Sequence, residues 1–182
     1  MLKHLLSFAL ILAGIGSLSV ASPVEFTRPQ KVQDYIRKYR YLYQPLSAES
    51  NVPVPIILAV AGLESDWGQS ELARYANNHF GLKVKSDWDG QTYCKQTVEF
   101  WGYQSYEARE CFRKYPLIRE SYSDFGQFIT TRPYYRSLFT GLPSWNHRIW
   151  AETLQACGYA TDPEYAEKLL RLIWRYRLYE IQ

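Results

Sequence analysis

Carboxylates are the side chains of this sequence best placed for chemistry. No G-x-S-x-G elbow, P-loop or strand-linked G-x-G-x-x-G is present, and the only Gly-x-Gly pair is Gly14 and Gly16 in the leading segment. Glu64 ends the almost wholly apolar run that carries Ile56, Ile57, Ala59, Val60 and Leu63. A carboxyl there sits against Leu63, Val60 and Trp67 rather than in bulk water. Lost hydration disfavours its charged form and keeps a proton available near neutrality, which is what a general acid needs. Position alone leaves a second reading open, a helix-terminal glutamate bonded to the next turn or exposed, because a carboxylate gains nothing from a helix C-terminus. His4, His79 and His147 are isolated, and there is no CxxC or HExxH spacing. The expectation is therefore an acid–base site with no metal and no cofactor.

The elements that would position Glu64 follow from the apolar periodicity. Val32, Tyr35, Ile36, Tyr39 and Leu42 to Tyr43 predict an N-terminal packing helix over 28–45, begun by Pro29. Ser50 or Asn51 reads as the cap of the next helix, with Pro53 and Pro55 in its first turn, and this central buried helix runs to Gly68. Between Asp87 and Tyr115 the β-branched and aromatic residues favour two strands joined at Gly102–Ser105. Helical signals return from Ser121, in Phe125, Phe128 and Ile129, then Ile149–Cys157, then Ala166 to Tyr176 after a TDPE start at Thr161. The fold class is α+β, and nothing divides the chain after the leader.

Of the 182 residues, 47% are hydrophobic and 16% aromatic, which supports a sizeable core and excludes disorder. A formal charge of +3, scattered along the chain, excludes a dedicated nucleic-acid binder. Lys3 precedes an uncharged run, Leu5 to Leu18, ending at the small residues Ser19 and Ala21. The run is shorter than the roughly 20 residues of a membrane span and reads as a signal peptide over 1–21, cleaved after Ala21. The expectation is an exported chain, periplasmic or extracellular, with no membrane insertion after cleavage. In an oxidising compartment Cys94 and Cys111, about equally far from the hairpin turn, are the natural disulfide pair, with ordinary core packing the alternative. Cys157 reads as a buried free thiol.

Across the chain LESDWG (Leu63–Gly68), NNHFGLK (Asn77–Lys83), WDG (Trp88–Gly90), TVEF (Thr97–Phe100), FRKY (Phe112–Tyr115), ESYSD (Glu120–Asp124) and GYATDPEYAEKL (Gly158–Leu169) follow in order. This series resembles the bacterial peptidoglycan glucosaminidases, glycoside hydrolase family 73, which include the hydrolase domain of flagellar assembly proteins. The resemblance covers 52–179 within a single domain, 22–182. It implies a lysozyme-like fold, a mostly helical lobe and a small antiparallel β-lobe around a glycan cleft. It implies further that Glu64 is the general acid of an endo-β-N-acetylglucosaminidase that cuts peptidoglycan glycan strands. Glu99 would be general base or electrostatic stabiliser, and Tyr159 would steady the substrate's acetamido group.

Trp67, Phe80 and Tyr135 offer faces that stack on a pyranose, and Asn78 an amide for an N-acetyl group, though each suits a core equally. Glu120 reads as structural, and Lys168, Arg171 and Arg175 as a solvated helix face. Asp66 stands where the family commonly has glycine, and Cys157 where it has a small residue. A disulfide between Cys94 and Cys111 would limit how far Glu99 swings. The alternatives are a muramidase or lytic transglycosylase on the same fold, or a wall-binding module without turnover. The chain is expected to act as a monomer.

Overall fold

The computed structural model describes residues 26–181, so the expected signal peptide, 1–21, lies outside the described residues. The elements are α1 (Gln30–Lys38), α2 (Arg40–Ser50), α3 (Val54–Ser65), α4 (Glu71–Ala76), β1 (Thr92–Trp101), β2 (Gln104–Arg113), α5 (Ile118–Thr131), α6 (His147–Ala156) and α7 (Tyr165–Arg175). Short 3₁₀ turns occupy Pro133–Phe139 and Leu178–Glu180. No helix among the described residues is long and apolar enough to cross a membrane.

α3 is the axis of the helical lobe. Every residue from Pro55 to Gly62 is buried, so the helix is apolar on all sides, as one surrounded by packing partners must be. α2, α6 and α7 pack around it. The chain leaves α3 through three successive residues of positive φ, Asp66 (44°), Trp67 (56°) and Gly68 (81°). The Ser65 hydroxyl steadies this exit by accepting the Gly68 N–H at 2.8 Å. Asp66 therefore holds a left-handed C-cap, the position where glycine is least strained, which explains why glycine is common there.

Helix boundaries differ from the sequence expectation, and α3 ends at Ser65 rather than running to Gly68. The N-terminal stretch breaks at Tyr39, and α2 runs through Pro45 to Ser50 instead of ending near 45. Asn51 is the left-handed C-cap of α2, not an N-cap, and Pro53 fills that place for α3. Cap-forming residue types serve both helix ends, and only the backbone distinguishes them. The six-residue α4, capped by Ser70 at the Ala73 N–H, was too short to show a period.

β1 and β2 pair antiparallel through a two-residue turn, with Trp101 opposite Gln104 and Gly102 supplying the positive φ of 58° that such a turn needs. A lone two-stranded ribbon is marginal in water, and here it is tied down at two levels. Cys94 and Cys111 face each other in register and are disulfide-bonded, while Cys157 is free. At the root Arg113 is buried, forking to both oxygens of Asp124 at 3.0 Å and of Asp87 at 3.1 Å. Tyr115 also donates to Asp124, at 2.6 Å, and Trp88 lies under the guanidinium. These contacts give FRKY and ESYSD a structural meaning: they bolt the hairpin to α5.

Maleimide applied to the unreduced protein is expected to label Cys157 alone. Stoichiometric label on Cys94 or Cys111 would contradict the bond. Replacing both bonded cysteines by serine should lower the urea-measured unfolding free energy by about 2–3 kcal/mol, given the 17-residue separation.

Candidate active site

Glu64 is one residue from the end of α3, and its half-buried carboxyl lies in a cleft of about 680 Å³ between the helical lobe and β1. The Tyr165 hydroxyl, from the start of α7, donates to Glu64 Oε1 at 3.0 Å. On the other side the chain passes so close that a Cβ at position 81 would lie 2.5 Å from Oε2, and Gly81 also has φ 64°. A Cβ there would push the carboxyl aside and strain the left-handed backbone, and glycine avoids both. Loss of water pushes the Glu64 pKa up to about 7. The Tyr165 hydrogen bond and the Lys83 charge pull it down, and Glu99 and Asp162 push it up. The group thus keeps its proton near neutral pH.

The loop carrying Gly81 is held from several sides. Asn78 Nδ2 donates to the carbonyls of Leu82 (3.0 Å) and Arg113 (2.9 Å), and its Oδ1 accepts the N–H groups of Phe80 (3.3 Å) and Leu82 (3.2 Å). Phe80 stacks on Phe125 with centroids 4.0 Å apart. The Tyr159 hydroxyl donates to the Phe80 carbonyl at 2.8 Å, and its ring stacks on Tyr165. His79, in the same loop, bonds through Nδ1 to the Tyr35 hydroxyl at 2.7 Å, and burial lowers its pKa to about 4.

Glu99 reaches the same cleft from β1. Its carboxylate is buried, with Oε1 on Lys83 Nζ at 2.5 Å and Oε2 accepting from the Thr161 hydroxyl at 2.9 Å. The Phe100 N–H donates to that same hydroxyl at 3.3 Å, so Thr161 ties β1 to the loop before α7. Lys168 pairs with Asp162 and borders the cleft.

The structure therefore brings Glu64, Glu99, Tyr159 and Tyr135 to one cleft. It removes Trp67, Asn78 and Phe80 from the cleft wall. Trp67 is packed edge-on against Tyr35 and Tyr176 with its ring pressed on Gly62, Asn78 spends its amide on backbone, and Phe80 is fully buried. Tyr135 borders the cleft but is itself 1% exposed, and Tyr134 beside it presents the open ring. Lys168 is corrected from a solvated face to the cleft, whereas Arg171 and Arg175 are exposed. Cys157 is half-buried at the cleft edge rather than buried. Glu120 lies in the first turn of α5, which has no side-chain cap. Tyr165, Lys83, Thr161 and Gly81 went unrecognised in the sequence. Among the described residues no group of three or more His, Cys, Asp or Glu is placed to hold a metal ion.

Residues 40–178 match the glucosaminidase family, described as mannosyl-glycoprotein endo-beta-N-acetylglucosaminidase. The chain belongs to the glucosaminidase family. This match begins twelve residues before the expected start at 52 and takes in α2. Among relatives of the chain, the peptidoglycan hydrolase FlgJ of Escherichia coli strain K12 is 36% identical over 134 residues, covering 71% of this chain and 42% of that protein. The exo-glucosaminidase LytG of Bacillus subtilis strain 168 is 34% identical over 168 residues, covering 89% of this chain and 59% of that protein. The chain thus spans about half the length of these relatives. The glycoside hydrolase domain of Salmonella typhimurium FlgJ, in a C-terminally truncated form, superposes with a TM-score of 0.61 at 32% identity, covering 83% of this chain and 99% of that one. The fold of the chain is accordingly α+β and lysozyme-like.

One consequence of the glycine approach is measurable. Gly81→Ala is expected to shift the carboxyl of Glu64, the candidate acid, and so to cut kcat/KM by about 10–100-fold, with little change in unfolding midpoint beyond the backbone strain. Unchanged kinetics would mean that the loop does not position Glu64.

Proposed function

We propose that the chain hydrolyses the β-1,4 bond after N-acetylglucosamine in peptidoglycan, with Glu64 as the general acid. The observation that carries this reading is a carboxyl on the wall of a glycan-sized cleft, held by Tyr165, wedged against Gly81 and still protonated near neutrality. Such a group protonates the leaving glycosidic oxygen as the bond breaks. The FlgJ relative is named as a peptidoglycan hydrolase, which supports peptidoglycan as the substrate.

Glu99 serves as a fixed negative charge facing the oxocarbenium-like transition state. Both its oxygens are engaged, by Lys83 and by Thr161, which favours the stabilising role over that of a free water-activating base. The Tyr159 hydroxyl donates its hydrogen bond to the Phe80 carbonyl, so toward an acetamido group it acts as acceptor only.

The chain works as a single domain, 22–182, and as a monomer after export. One core cluster extends from Val32 to Ile181, and the cleft is complete within one chain. The disulfide fits an oxidising compartment, and the wall substrate fits a periplasmic or extracellular site.

The test is digestion of purified sacculi by wild type and Glu64→Gln, followed by turbidity. Clearing by wild type alone supports the reading, and clearing by neither overturns it. Tyr165→Phe adds a finer check. The Tyr165 hydroxyl stabilises the carboxylate, so its loss should raise the Glu64 pKa and move the alkaline limb of kcat/KM upward. A downward shift would contradict the assignment.

A further inference from the structure

The outer half of the hairpin carries aromatic rings that no packing role accounts for. Trp101 is 82% exposed, Tyr103 88% and Tyr106 50%. Residues two apart on a strand share a face, so Trp101 lies on the same face of β1 as Glu99. Tyr106 is directly opposite Glu99 in register, and therefore diagonal to Trp101 at a separation of about 7–8 Å. Glu99 is inside the cleft, and its face is the one that bonds Lys83. Trp101 and Tyr106 thus continue the cleft-facing surface of the hairpin outward past the reaction centre.

We propose that Trp101 and Tyr106, with Tyr103 at the turn, form an aromatic platform that stacks on sugars of the glycan strand beyond those at the reacting bond. The occupant is a β-1,4-linked chain of 2-acetamido sugars, and this rests on the functional reading above. Continuity with the cleft is the first support, since a strand entering past Glu99 must run over the hairpin face. Charge is the second: from Thr97 to Tyr106 the sequence TVEFWGYQSY contains Glu99 as its only charged residue, and that residue is paired. An anionic lipid surface or a nucleic acid would need a cluster of lysine or arginine beside the rings, and the stretch Thr97–Tyr106 carries none. Aromatic rings flanked by Gln104, Ser105 and Thr97 instead suit a glycan, whose pyranose rings present one apolar face and many hydroxyls and whose carboxylates come at most one per disaccharide.

The platform makes affinity depend on strand length. The experiment uses the chain carrying Glu64→Gln, so that strands survive, and measures by calorimetry its binding to peptide-free peptidoglycan glycan strands of about four and about ten sugars. The longer strand should bind about tenfold more tightly, the upper end of what a stacked ring contributes. Adding Trp101→Ala and Tyr106→Ala should abolish that difference, whereas Trp101→Phe, which keeps a ring, should preserve most of it. Equal far-UV circular dichroism and thermal midpoints establish that the variants are folded.

A length dependence that survives the double alanine variant overturns the platform and leaves the function standing. Absence of binding to either strand, with no clearing of sacculi by wild type, overturns both. Ring-dependent binding to phosphatidylglycerol vesicles, with no ring dependence toward glycan, also overturns the proposal and assigns the rings to a membrane surface.

Discussion

Glu64→Gln is expected to lower turnover on peptidoglycan by about 10³-fold while making the protein more stable above neutral pH. The loss follows from removing the transferable proton and keeping the shape. The gain follows from linkage. The folded chain holds the Glu64 proton up to about pH 7, whereas the unfolded chain releases it near 4.5. Between these values the folded state binds more protons, so stability is fully present below about 4.5, falls as pH rises to about 7, and stays lost above.

The shift corresponds to about 1–3 kcal/mol once the partial exposure of the carboxyl is allowed for. Glutamine cannot ionise and escapes the loss. At pH 8 the variant should therefore melt several degrees above wild type, and at pH 4 the two should melt together. The same titration should appear in wild-type kinetics as a limb of kcat/KM falling about tenfold per pH unit above about 7. A variant less stable than wild type at pH 8 would show that the carboxylate is well solvated, and the acid assignment would lose its physical basis.

Glu99→Gln is the second large effect. On the stabilising role proposed for Glu99, its removal should cost about 10²–10³-fold in kcat, with KM changed much less, because the interaction would strengthen as the cation forms. The two possible roles of Glu99 separate on chemical rescue. A base that activates water can be bypassed by azide in Glu99→Ala, giving a glycosyl azide of inverted configuration. A stabilising charge cannot be bypassed in this way. The engagement of both oxygens by Lys83 and Thr161 predicts no rescue. Substantial azide product would reassign Glu99 as the base.

Glu64 was legible in the sequence because a single carboxyl ends a helix that is otherwise apolar, and burial of that helix fixes the solvation of its last turn. The hairpin was legible because β-branched and aromatic residues cluster around Gly102, and its length brings Cys94 opposite Cys111. The break at Tyr39 was not, since apolar residues recur at helical spacing on both sides of it and only the backbone at Tyr39 reveals the turn.

Aromatic candidates for the cleft failed for a related reason. A ring that would stack on a sugar also stacks on another ring, and Phe80 against Phe125 and Trp67 against Tyr35 satisfy that preference inside the core. Tyr165 and Lys83 sit in quoted motifs, yet their partners, Glu64 and Glu99, are 101 and 16 residues away and no local spacing links them. Gly81 had a recoverable signal, a glycine directly after NNHF in a loop, but what it makes room for appears only with the carboxyl in place.

The most direct measurement is the identity of the sugar ends released from peptidoglycan. Purified sacculi are digested by wild type and by Glu64→Gln, the fragments are reduced with borohydride, and their termini are determined by mass spectrometry. Reduced N-acetylglucosamine ends from wild type, absent with Glu64→Gln, are the predicted result. Muramitol or anhydro-muramic ends would contradict it, moving the cut to the other glycosidic bond or the reaction to a lytic transglycosylation.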